Sequence, residues 1–152
     1  MDIKINKAGP NESLPIDLLL LADPSEEMIS KYLNSGETFV AKLDDKIVGG
    51  FILLPISEGE IEIKNIAVYP EYQKKGLGKE LMKYAIRTAK MEAYDFLIIK
   101  TADSSRYQIS FYEKLKFKLD STIKGHYIQY YKEPIIENGL EAVDQLVFRR
   151  SV

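Results

Sequence analysis

Apolar residues recur along this chain with two periods, and the switches between them mark out its elements. Ile3 and Ile5 alternate with Asp2, Lys4 and Asn6, which predicts a first strand ending at Gly9-Pro10. Ile16 to Asp23 is a dense apolar run of ambiguous period, a short helix or a buried strand, with helix the preferred reading. Pro24-Ser25-Glu26-Glu27 ahead of Met28, Ile29, Tyr32 and Leu33 predicts a second helix, stopped near Gly36. Thr38 to Lys42 and Lys46 to Leu54 flank Leu43-Asp44-Asp45 and read as a β-hairpin. Period two then returns near Ile61, and a helical period follows.

The stretch from Ile61 to Lys90 organises the rest. Its opening apolar positions are Ile61, Ile63, Ile66 and Val68, so strict alternation would put the last two on the face opposite the first two. One extra residue near Asn65 repairs the phase, as a β-bulge does. The alternative is a strand covered on both faces, where alternation carries little meaning. Leu77, Leu81, Tyr84, Ala85, Thr88 and Ala89 then form a helical stripe.

Beyond it, Phe96 to Thr101 is an apolar run of strand length. Ser104 or Ser105 caps a helix carrying Ile109, Tyr112 and Leu115 on one side. Lys116 to Asp120 alternates cleanly and predicts a strand. From His126 to Asp144 the chain is aromatic, contains Pro134 and Gly139 and reads as a long loop with some local structure, followed by a short final strand at Leu146 to Phe148. With no repeat or linker, the pattern describes one α+β domain spanning residues 1–152, with a mixed, mostly antiparallel sheet.

Composition narrows the function classes. Hydrophobic residues make up 45% and charged residues 29%, the profile of a soluble globular protein. Twenty-one Lys and Arg against 23 Asp and Glu leave a formal charge of −2, which gives no support to nucleic acid or an anionic membrane as main partner. The absence of Cys excludes a thiolate nucleophile or thiolate metal site, and a single His excludes a His-rich one. No metal is expected. The amino terminus lacks a signal peptide's apolar stretch and no run is long enough to span a bilayer, so the expected location is the cytoplasm.

Candidate chemistry concentrates after Pro70. Gly76 and Gly78 sit where the helical stripe begins, with Lys74, Lys75 and Lys79 around them. Free amides at a helix start, flanked by cations, suit phosphate oxygens. Turn geometry alone also accounts for two such glycines. Neither G-x-G-x-x-G nor G-x-x-x-x-G-K-[ST] is present, so the common dinucleotide and triphosphate loops do not fit.

Gln73-Lys74-Lys75-Gly76-Leu77-Gly78, preceded by Asn65-Ile66-Ala67-Val68-Tyr69-Pro70, resembles the [Q/R]-x-x-G-x-[G/A] hallmark of the GCN5-related N-acetyltransferase (GNAT) family. Phe111-Tyr112-Glu113-Lys114-Leu115-Lys116-Phe117 is similar to a second family run, and the likeness extends from roughly Phe39 to Phe117. The tail around Tyr130, Tyr131, Pro134, Asn138 and Gly139 resembles a little-characterised bacterial branch. The resemblance implies a three-layer α/β/α fold with a central sheet of six or seven strands, about four helices and a bulge near Asn65. It implies acetyl-CoA as cosubstrate and transfer of its acetyl group to a primary amine by direct attack in a ternary complex. The alternative is a non-catalytic acyl-CoA-binding sensor or interaction module.

Further implications fall on named residues. Backbone at Ile66, Ala67 and Val68 would pair with the pantetheine arm. Gln73, Lys74, Lys75, Gly76, Leu77, Gly78 and Lys79 would cradle the pyrophosphate. Tyr112 would face the coenzyme sulfur as proton or hydrogen-bond donor. Ser105 stands where relatives often carry Asn against the coenzyme arm, and Lys116 where they commonly carry Gly. An amine near pKa 10 is mostly protonated at neutral pH, so a base helps. Glu62 is the candidate, with Glu60 its neighbour, against a reading of Glu62 as a solvated charge beside Lys64. His126 and Tyr127 are candidates for the acceptor side, where packing is the alternative. The expected partner is a small-molecule or protein amine, with neither nucleic acid nor membrane, for a monomer or homodimer.

Overall fold

The computed structural model describes residues 2–152. By its internal contacts the chain forms two units: the residues through Asp95 together with Val152, and Phe96–Ser151. Seven strands share one mixed, mostly antiparallel sheet and two more form a separate hairpin.

In the first unit the strands run in the order β1-β2-β3-β4, with β1 Ile3–Lys7, β2 Glu37–Leu43, β3 Lys46–Pro55 and β4 Glu60–Val68. Neighbours pair antiparallel. The hairpin between β2 and β3 turns on Asp44, whose φ of 54° is tolerated by a short side chain that bonds locally. Two short helices, α1 Ile16–Leu19 and α2 Glu26–Tyr32, cover one face of this sheet. Ser25 caps α2 by accepting from the Met28 amide at 3.1 Å. Leu14, Leu18, Leu19, Ile29 and Tyr32 pack there with Val40, Ile52 and Ala67.

Helix α3, Leu77–Met91, lies against the other face. Leu77, Leu81, Met82, Ala85 and Ala89 are its buried stripe, as the helical period predicts. Phe39 and Phe51 stack across β2 and β3 with ring centroids 4.7 Å apart, and Tyr84 of α3 tilts onto both. Helices on both faces of a sheet give the α/β/α layering expected of the family.

The bulge is present. Asn65 pairs with Ile52 and Ile63 with Leu53, so Lys64 is the extra residue on β4. The register then puts Ile66 opposite Phe51, on the side of Ile61 and Ile63, while Glu62, Asn65 and Ala67 face the α1–α2 layer.

In the second unit the order is β5-β9-β6, with β5 Phe96–Ala102, β6 Lys118–Ile123 and β9 Gln145–Ser151. Helix α4, Arg106–Lys114, carries Tyr112 on its buried side. Three expectations shift here. The strand read at Lys116 to Asp120 begins two residues later, because Lys116 takes a φ of 71° and turns the chain. Its clean alternation buries nothing beyond Phe117: Leu119 is 57% exposed on an edge strand. The short final strand is seven residues long and central to its unit, pairing with both β5 and β6.

The local structure within the long loop is helix α5, His126–Tyr130, and a hairpin of β7 Ile136–Glu137 with β8 Leu140–Glu141. That hairpin turns on Asn138-Gly139, both at positive φ (51° and 78°), the pairing that two-residue turns favour.

Candidate functional site

The first unit presents its site features along one continuous stretch. After β4 a single helical turn, Pro70–Tyr72, leads to Gln73, Lys74 and the start of α3. Gln73 Nε2 donates to the Val68 carbonyl at 2.8 Å, and its amide donates to the Pro70 carbonyl at 3.3 Å. Gln73 therefore ties the loop back to the end of β4. Lys74 then takes a φ of 62°, and Gly76 a φ of 85° as the residue preceding α3. At such a φ an L side chain is strained, so backbone geometry favours glycine at 76.

Gly78 is different. It has ordinary helical backbone, and a Cβ built there would meet nothing within 4 Å. The fold gives no reason for glycine at 78, whereas a ligand approaching the helix start closely would. No side chain caps α3. Among the described residues the amides of Lys74, Lys75, Gly76, Leu77, Gly78 and Lys79 meet no hydrogen-bond acceptor. A bare run of donors at the positive end of a 15-residue helix, with three lysines on it, fits a pyrophosphate. Ile66, Ala67 and Val68 pair with Phe51, Gly50 and Gly49 on β3, downstream of the bulge.

Glu62 is not a solvated charge. It is 4% exposed, and Lys64 Nζ stands 4.0 Å from its Oε2. Glu60 is half-buried, with Ser57 Oγ donating to it at 3.4 Å. On the same face as Glu62, Asn65 Nδ2 donates to the Leu19 carbonyl at 3.1 Å and to the Tyr32 hydroxyl at 3.0 Å. Tyr32 in turn donates to Asp23 at 3.1 Å. Burial, followed by the neighbouring carboxylates of Asp23 and Glu62, holds the Tyr32 phenol well above its ordinary range. The apolar pattern places Tyr32 in a core stripe and Asn65 at a bulge, but does not show that they join. The available signal was an Asn inside an otherwise apolar strand.

In the second unit Tyr112 is 7% exposed, with its ring among Phe111, Phe117 and Phe148 at 5.8 to 6.4 Å. Burial, with a smaller contribution from Tyr127, raises its phenol well above the ordinary value and keeps it protonated. Ser105 precedes α4 without capping it. Its hydroxyl donates to Glu137 at 2.8 Å. His126 opens α5 and packs edge-on against Tyr127 at 4.9 Å, with Tyr130 and Tyr131 close by. Tyr127 and Tyr131 lie 5.5 Å apart.

A depression of about 400 Å³ lined by Lys7, Glu37, Phe39, Tyr84, Arg87, Thr88, Met91 and Glu92 contains none of the candidate residues. Among the described residues no group of three or more His, Cys, Asp or Glu side chains is arranged to hold a metal. No helix among them is long and apolar enough to cross a membrane.

The model of the acetyltransferase (GNAT) family matches residues 12–117, which include the bulge, the glycine turn and Tyr112. The chain belongs to the GNAT family. It is 40% identical over 130 residues to the N-acetyltransferase YvbK of Bacillus subtilis strain 168, covering 86% of this chain and 84% of that one. A GNAT acetyltransferase from Elizabethkingia anophelis, solved with acetyl-CoA bound, superposes with a TM-score of 0.95 at 40% identity, covering 99% of each chain. A Bacillus subtilis acetyltransferase solved with CoA superposes at 0.92 and 35% identity, again over 99% of both. Acetyl-CoA-dependent acetyl transfer is the activity that GNAT membership and these relatives support.

Proposed function

We propose that this GNAT protein transfers an acetyl group from acetyl-CoA to a primary amine by direct attack. The observation carrying this is the run of unpaired amides from Lys74 to Lys79 beside an open Gly78, directly after a bulged strand. Bound acetyl-CoA supplies the acyl group as a thioester.

The chain's own residues then divide the work. The amides of Lys74 to Lys79 and the ammonium groups of Lys74, Lys75 and Lys79 hold the pyrophosphate. The backbone of Ile66, Ala67 and Val68 aligns the pantetheine arm. Glu62 accepts the proton that the acceptor nitrogen must shed as its C–N bond forms, directly or through water. Tyr112 donates to the sulfur as the C–S bond breaks. A cysteine thiol titrates at about 8.5, well below a phenol raised by burial, so Tyr112 stabilises the thiolate by a hydrogen bond rather than by giving up its proton. Ser105 would reach the coenzyme arm only by sharing its hydroxyl with Glu137. His126 and Tyr127 are assigned to the acceptor side.

Thiol release from acetyl-CoA, measured against a panel of alkyl, aryl and peptide amines with mass spectrometry of the products, tests the proposal. Acetylated amine is the expected product. Coenzyme binding with no turnover across the panel would replace the enzyme with an acyl-CoA-binding module, and no coenzyme binding would end both readings.

A further inference from the structure

We infer that Glu62, the ring of Tyr32 and the side-chain carbonyl of Asn65 form an ammonium subsite, in which the chain's own Lys64 stands in the resting protein against Glu62 and Tyr32 and leaves Asn65 unserved. The occupant's identity as an acceptor amine rests on the acetyl-transfer reading above; the subsite itself does not.

The bulge makes the arrangement. In a regular strand Lys64 would share a face with Glu62 but not with Asn65; as the extra residue it lets all three meet on the α1–α2 side. Its Nζ lies 4.0 Å from Glu62 Oε2 and 5.5 Å from the centroid of the Tyr32 ring. A carboxylate on one side and an aromatic face on another is the environment that binds primary ammonium groups.

Asn65 supplies the second, independent sign. Both hydrogens of its carboxamide are committed, to Leu19 and to Tyr32, which fixes the orientation of the group. Its Oδ1 is buried and has no donor. A buried carbonyl without a donor is uncommon in folded proteins and calls for an explanation. A partner for it must bring a hydrogen-bond donor to the α1–α2 face of β4. An ammonium carries three, enough to serve Glu62 and Asn65 together.

Lys64 is the internal mimic of that ligand. It is a primary alkylamine held beside the proposed base, with its side chain still 29% exposed. An incoming amine takes its place, and Lys64 swings out through solvent. The subsite therefore selects aliphatic primary amines over neutral or anionic acceptors, and Lys64 lowers their apparent affinity by the fraction of time it occupies the site.

Binding of n-butylammonium, with n-butanol as the neutral isostere, tests this by NMR titration without need of turnover. Lys64→Met should bind n-butylammonium on the order of tenfold tighter than the parent. Adding Glu62→Gln should abolish that gain. Lys90→Met, which removes a distant exposed lysine of α3, controls for net charge and should bind as the parent does. The Asn65 carboxamide resonance should move with n-butylammonium and stay still with n-butanol. Lys64→Gln repeats the test should the Met variant misfold. Equal binding by Lys64→Met and Lys90→Met would overturn the inference, as would equal binding of n-butanol or no binding by any variant. Coenzyme A titrated separately reports on the acetyl-transfer reading, so the two failures are distinguishable.

Discussion

Tyr112 and Glu62 are both nearly sealed from solvent, yet burial serves them differently. Burial fixes the phenol in its neutral, donating form, whereas Glu62 sits beside Lys64 and so keeps a cation at hand. Tyr112→Phe keeps the packing on Phe117 and Phe148 and removes only the donor. Turnover should fall on the order of 10²-fold with KM for acetyl-CoA unchanged, as steady-state kinetics would show. An unchanged kcat would take Tyr112 out of the chemistry. Glu62→Gln should cost a similar factor near neutral pH, but its deficit should shrink as pH approaches the pKa of a free alkylamine, about 10. The direction follows from proton transfer, because an amine that is already unprotonated leaves a base little to remove. A pH–rate profile of both proteins checks it, and a deficit constant from about pH 7 to about pH 10 would refute a base role.

At the scale of elements, the start of α3 holds one glycine at left-handed backbone, Gly76, and one at open helical backbone, Gly78. Gly76→Ala forces an L residue into φ of 85° and should lower stability by about 1–2 kcal/mol. Gly78→Ala meets no atom and adds a helix-favouring residue, so melting should stay level or rise while coenzyme affinity falls. Melting curves with and without coenzyme A decide it; unchanged affinity in Gly78→Ala would mean that nothing approaches that position.

These element-level distinctions also show what the sequence carried. The bulge was legible because four apolar residues broke phase once, and α3 because its stripe held a single period. The β7–β8 hairpin was equally available in Asn138-Gly139, but flanking strands of two residues each are too short to show alternation. Strand β6 misled for the opposite reason: at a sheet edge, alternation survives without burying Leu119. The Asp23–Tyr32–Asn65 chain was not legible, since its links span 9 and 33 positions and form only through tertiary packing.

For the molecule as a whole, a formal charge of −2 means that attraction for a polyanionic coenzyme must be local rather than global. On the proposed reading Lys74, Lys75 and Lys79 would supply it within six residues, over the bare amides of the same turn. Two consequences can be measured together. A ligand that binds only the folded state stabilises by about 2.7 kcal/mol at roughly a hundred times its Kd. For a chain of this length that corresponds to a rise in Tm of about 5–10 °C with coenzyme A. Because the cations are exposed, the rise should shrink as salt is raised, and Lys74→Ala with Lys75→Ala should flatten that dependence. The amides and Gly78 remain in that variant, so binding should weaken without vanishing. A salt-independent shift, identical in parent and double variant, would assign the pyrophosphate to backbone alone and leave the lysines to solubility.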